Sequence, residues 1–157
     1  MADGTDSGIK IIVTGDVSDA GLPPLNVTQI PESIRRLIES SDLLVANLEG
    51  PIRLADDYPP RRLSGHRLLD QLLRLGLRAA GKKPVLVCST PKVIDLLALA
   101  PCACVTLANN HINDLGPRGL LDTLAWLHQH EVPHVGAGPD RDAANAPCWL
   151  RIRGKPV

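Results

Sequence analysis

Three apolar runs each break off in polar residues, and this recurrence constrains the fold more than any other feature. "IKIIVTGDV" (residues 9–17) reaches Gly15-Asp16, "DLLVANLEGP" (42–51) reaches Asn47-Leu48-Glu49, and "ACVTLANNH" (103–111) reaches Asn109-Asn110-His111. Runs so rich in Ile, Val and Leu read as strands buried on both faces, the parallel type. Helical spacing fills the intervals. "IPESIRRLIESSD" sets Ile30, Ile34, Leu37 and Ile38 on one side, with Pro31 at the first helical position. "STPKVIDLLALA" carries a Ser/Thr cap and an early Pro91, and "GPRGLLDTLAWLHQH" sets Leu120, Leu121, Leu124 and Leu127 on one face behind Pro117. Residues 67–78 are Leu-dense and predicted helical. "PVLVC" (84–88) and "VPHVGAG" (132–138) read as short strands, "ADDYPPRRLSGH" (55–66) as a turn-rich loop, and "CWLRIRGKPV" as a strand or hairpin.

Alternation of this kind makes an α/β domain with a mainly parallel central sheet. Ligands of such sheets bind beyond the carboxyl ends of the strands. Polar groups from three separate runs are therefore expected to converge on one rim.

At 157 residues the chain is one domain long. It has no Phe, one Tyr and two Trp, so the core is built from Leu, Ile, Val and Ala. Aromatic platforms for single-stranded nucleic acid are missing. Seventeen basic residues balance 17 acidic ones, so no global field recruits nucleic acid or an anionic membrane. The chain as given contains neither a leader pattern nor a run of about 18 apolar residues, which predicts no membrane span and a cytoplasmic location. Cys88, Cys102, Cys104 and Cys148 lack zinc-site spacing and are expected to be buried, reduced thiols.

Asp16, Glu49, Asn110 and His111 offer two carboxylates, an amide oxygen and an imidazole. An oxygen-rich set with one nitrogen suits Mn, Fe, Mg or Zn. Bridging carboxylates can hold two such ions, and a neighbouring imidazole can protonate a leaving oxygen or stabilise developing charge. Each residue also has a plainer reading. Asp16 can serve a strand-to-loop turn, Glu49 can be a solvated loop carboxylate, Asn109 can hold a left-handed backbone, and Asp114 can cap the helix that begins near Pro117 or support the site from behind. His66, His128 and His130, in loop or helix-surface contexts, read as solvated or satisfied histidines, while His134, before Val-Gly-Ala-Gly, can reach the rim but from the wrong side. The first strand lacks a Gly-x-Gly-x-x-Gly fingerprint, and position 18 is Ser where an aspartyl-phosphate hydrolase needs a second carboxylate.

"VTGDV", "DLLVANLEGPI", "VTLANNHINDLGPRGLLDTLAWL" and "VPHVGAGPDRDAANAP" together resemble the successive blocks of the CapA family, poly-gamma-glutamate capsule biosynthesis proteins of the calcineurin-like metallophosphoesterase superfamily. The resemblance implies a layered α/β sandwich over residues 9–157, of which this chain carries the N-terminal portion, behind a disordered stretch at 1–8. It implies Asp16, Glu49 and Asn110 as ligands of divalent metal ions, with His111 as the catalytic proton donor or charge stabiliser. The implied partners are an anionic polymer or phosphoester substrate and other capsule-synthesis proteins; family members are often membrane-associated. One departure stands out: the superfamily pairs its first Asp with a His two residues on, and here that residue is Ser18. That substitution leaves room for a non-catalytic binding or assembly component, or for a degenerate fragment, beside the phosphoesterase reading.

Overall fold

The computed structural model describes residues 8–18, 26–58, 75 and 86–157. Four strands form its sheet: β1 (Ile11–Val17), β2 (Leu43–Leu48), β3 (Ala103–Thr106) and β4 (His134–Val135). They lie in the order β1-β2-β3-β4, and every neighbouring pair is parallel. Parallel neighbours cannot be joined by a tight turn and need a crossover. Helices fall in each interval: α1 (Glu32–Glu39) after a single 3-10 turn at Val27–Gln29, α2 (Val93–Leu97), and α3 (Gly116–Gln129). The layered α/β class anticipated from the strand–helix alternation is the observed one.

Alternation along β2 separates two apolar clusters. Leu44, Ala46 and Leu48 join Val105 of β3 and the helical residues Ile38, Val93, Leu97, Trp126 and Leu127 in the main core. Leu43 and Cys104 join a smaller cluster through Ile152. That residue belongs to a C-terminal hairpin of β5 (Arg151–Ile152) and β6 (Lys155–Pro156), as expected for this stretch. Just before it, α4 (Arg141–Asn145) starts at Asp140, whose carboxylate accepts the Ala143 N–H at 2.8 Å, a side-chain N-cap.

Several boundaries differ from the sequence reading. Pro31 is the N-cap of α1 rather than its first residue. Only Ile38 of that helix is buried, whereas Ile34 and Leu37 are exposed. In α3 the buried line runs through Gly116, Gly119, Thr123, Trp126 and Leu127, with Leu120 and Leu124 flanking it. Leu121 does not share that face; one step past Leu120 turns about 100° around the axis and brings it to the solvent side. Residues 86–88 are not a strand, and Ser89 makes only an isolated parallel bridge to Ile52. The rest of the expected 84–88 strand, the 67–78 helix apart from the helical Leu75, most of the 55–66 loop, His66 and residues 1–7 lie outside the described residues. Among the described residues, no helix is long and apolar enough to cross a membrane.

All four cysteines are free, but only Cys104 is fully buried. Burial, reinforced by Cys148 within hydrogen-bond reach, pushes the Cys104 thiol up to about 11.

One irregularity positions the site. The β1–β2 register passes from Val13 opposite Val45 to Asp16 opposite Asn47, so β1 gains a residue there. A bulge of this type re-aims the side chains that follow it. It brings Asp16 across from Asn47, near the carboxyl ends of both strands.

Candidate functional site at the carboxyl ends of the strands

Asn47, on the last turn of β2's alternation, is the hub of the rim. Its Nδ2 donates to Asp16 Oδ1 and to Glu49 Oε2, each at 2.7 Å. One amide nitrogen thus draws together carboxylates from the ends of β1 and β2. Both bonds are short, as expected when the acceptor is ionised. Asp16 is exposed and Glu49 half-buried, so the pair opens toward solvent on one side.

Asn109 supports Asn47 from behind. Its Nδ2 donates to Asn47 Oδ1 at 3.2 Å and to the Leu48 carbonyl at 2.9 Å. Its Oδ1 accepts the backbone N–H of Gly50 at 3.3 Å and of His111 at 3.1 Å. This is not the left-handed residue that the sequence allowed: the described non-Gly residues at positive φ are Glu131 and Arg153. Asn109 is held here for its side chain, which laces the loop after β3 to the loop after β2.

His111 is anchored at one ring nitrogen. Its Nδ1 lies 2.8 Å from Asp114 Oδ2, and its Nε2 lies 3.9 Å from Glu49 Oε1. Asp114 is only 1% exposed and its Oδ2 also accepts the Val87 N–H at 2.9 Å. The helix-cap reading of Asp114 is therefore corrected. Leu115 occupies the N-cap of α3 without a side-chain bond, and the Asp114 carboxylate turns inward to the histidine instead.

The structure brings Asp16, Glu49 and His111 into one hydrogen-bonded neighbourhood. Asn110 is the exception: it is exposed, and its side chain makes no hydrogen bond among the described residues. No three His, Cys, Asp or Glu side chains among the described residues are gathered closely enough to form a metal cage as they stand. His134 pairs with Val105 in the sheet and hydrogen-bonds back to the Val132 carbonyl, away from the rim. His130 is the satisfied histidine that the sequence allowed: exposed overall, its ring stacks on Trp126 at 4.0 Å and its Nδ1 meets the Trp126 carbonyl at 2.8 Å.

With this geometry in place, comparison with known proteins is decisive at the level of family. The family described as bacterial capsule synthesis protein PGA_cap matches residues 10–157. The chain belongs to that capsule synthesis family. Two relatives are the probable polyglutamine synthesis accessory proteins of Mycobacterium tuberculosis strains CDC 1551 / Oshkosh and ATCC 25618 / H37Rv. Each is 48% identical over 74 residues, covering 46% of this chain. The match spans 19% of the length of each relative.

In this member of the family, the residue that sequence reasoning passes over is Asn47. "Asn47-Leu48-Glu49" was visible as a polar strand end, but nothing local distinguishes an amide hub from a turn-former. The signal lay in the coincidence of Asn at the end of one strand run and Asn-Asn at the end of the next. Amides that satisfy each other's donors and acceptors need such a pairing.

Proposed function

We propose that this chain contributes a divalent-metal-dependent, phosphoesterase-like site to capsular polymer synthesis. The observation that carries the reading is the gathering of Asp16 and Glu49 on one amide, with His111 facing Glu49 from a fixed position. The donor set fits a hard divalent cation: two carboxylates converge, and the exposed Asn110 amide has no hydrogen-bond partner among the described residues. Asp16, Glu49 and Asn110 would hold the ion. When bound, such an ion polarises a phosphoryl oxygen and lowers the pKa of a coordinated water.

The chain's own residues supply the rest. Asp114 accepts the Nδ1 proton of His111, which fixes the ring plane and leaves Nε2 on the open side. Nε2 is then the atom that gives a proton to a leaving oxygen or stabilises its charge. The Asn109 and Asn47 amides keep the loops after β2 and β3 at a constant separation, so His111 and the carboxylates face the same phosphoryl group.

Mn2+ calorimetry on the chain and on Asp16→Ala, Glu49→Ala and Asn110→Ala tests the site. Heat of binding is expected in the parent and is lost or weakened in all three variants. Turnover of an activated phosphodiester with Mn2+ should fall about 10²–10⁴-fold in His111→Ala. Unchanged Mn2+ binding in the Asp16 and Asn110 variants would sink the assignment of ligands.

Ser18 favours a second reading, in which the rim recognises an anionic polymer or a synthase partner without turnover. The relatives' description as accessory proteins is in keeping with it. Metal binding without phosphodiester cleavage, in the parent and in His111→Ala alike, supports the binder over the enzyme.

A further inference from the structure

An Asn side chain can be reversed end for end, and only its partners decide which end faces where. For Asn109 the decision comes from the backbone. Its Oδ1 receives two N–H groups, from Gly50 and His111, while its Nδ2 faces the Leu48 carbonyl. Reversal would set an NH2 against two donors and an oxygen against a carbonyl. The second Nδ2 proton of Asn109 must then point at Asn47, which obliges Asn47 to present its oxygen there. With that end committed, both N–H bonds of Asn47 are directed at Asp16 and Glu49.

We propose that Asn47 and Asn109 are positioning residues. They form a relay of two amides that transmits the fixed backbone after β2 and β3 to the carboxylates, and so sets the cation affinity of the rim. The affinity part rests on the metal-binding reading above. The relay also explains the choice of residue. Two carboxylates brought to one point repel each other, and a two-proton donor between them offsets that repulsion without adding charge. An Asp at 47 would add a third negative group and donate nothing; a Leu would leave the carboxylates to swing apart. Asn109 touches neither carboxylate, and a negative charge added there would by itself attract a cation, so a loss of metal affinity on its substitution must travel through Asn47 or through the loop it laces.

The test uses the whole chain, with Asn47→Leu and Asn109→Asp as variants. An Asp at 109 still accepts from Gly50 and His111 but can no longer donate to Asn47. Calorimetry with Mn2+ should show the dissociation constant rising about 10–100-fold in both variants, the range typical of residues that orient metal ligands. Nuclear magnetic resonance of the metal-free protein gives the second readout. The Asn47 side-chain amide protons should exchange slowly with water in the parent and rapidly in Asn109→Asp, with the backbone amide spectrum otherwise retained. Slow exchange persisting in Asn109→Asp, or Mn2+ affinities within twofold of the parent in both variants, overturns the relay. A parent chain that takes up no Mn2+ refutes the metal reading and the affinity half of this proposal, and the amide exchange then decides the clamp alone. If Asn47→Leu does not fold, Asn47→Ser replaces it under the same criteria.

Discussion

Asp114 takes the Val87 N–H and the His111 ring on a single oxygen, at a point that water does not reach. Replacing it by Ala leaves a half-buried N–H without its acceptor and frees the histidine ring. Stability should fall by about 1–3 kcal/mol, the cost of an unsatisfied donor, read from the urea midpoint. Cys104 gives a prediction of opposite character. Its thiol keeps a proton in the folded chain between its ordinary value of 9.0 and about 11, where the unfolded chain has lost it. The folded state then binds more protons, so this contribution is complete below pH 9 and declines as pH rises toward 11. Urea midpoints across that window should drop more steeply in the parent than in Cys104→Ala. Alkylation of Cys104 should stay slow until the upper end of the range. At this scale the sequence exposed which residues were polar and where they stood, but not their hydrogen-bond partners. Asn109 looked like a backbone former and Asp114 like a cap because both roles are local. Asn109 joins a residue 62 positions away and Asp114 one 27 positions away, which no spacing rule reaches; only the pairing of Asp114 with His111, three residues apart, is local.

Thr123 of α3 shows how an element is tied to the site's underside. Its hydroxyl donates to the Gly119 carbonyl within the helix and accepts the Ile52 N–H at 2.9 Å, both fully buried. The helix thereby holds the segment that follows Glu49. Thr123→Val keeps the shape and removes the acceptor, so a loss of about 1–3 kcal/mol is expected in chemical denaturation. Thr123→Ser, which restores the hydroxyl, should recover most of it. Gly50 completes the same junction. Its φ of +76° favours glycine, and a side chain there would collide with the Val87 carbonyl oxygen. Elements with their own periodicity were legible: all three long strand runs, α2, α3 and the hairpin appear where the sequence placed them. Leu121 falls on the other side because Leu120 and Leu121 are adjacent, and both lie within helical spacing of Leu124. "PVLVC" (84–88) has the composition of a strand, yet of its described residues 86–88 none is in one, and the neighbouring Ser89 makes an isolated bridge.

Across the whole molecule, the two tryptophans occupy opposite environments. Trp126 is 7% exposed within the main core and Trp149 is 77% exposed beside the hairpin. Iodide should quench the fluorescence of Trp149 freely and spare that of Trp126, giving a two-component quenching curve that Trp149→Ala reduces to the protected component. Ile11 and Val13 likewise present apolar surface from one face of β1, at the end of the described sheet. The strand order carries a consequence for how the chain is made. Because β1, β2, β3 and β4 lie side by side in the order of synthesis, none of the described strands has to be inserted between two already in place. A nascent chain leaving the ribosome can lay each strand against its predecessor. The carboxylates meet their amide once Glu49 has emerged, Asn109 orients that amide some sixty residues later, and the histidine is anchored when Asp114 follows. The rim is thus completed once three strands of the sheet are laid down, before β4 emerges.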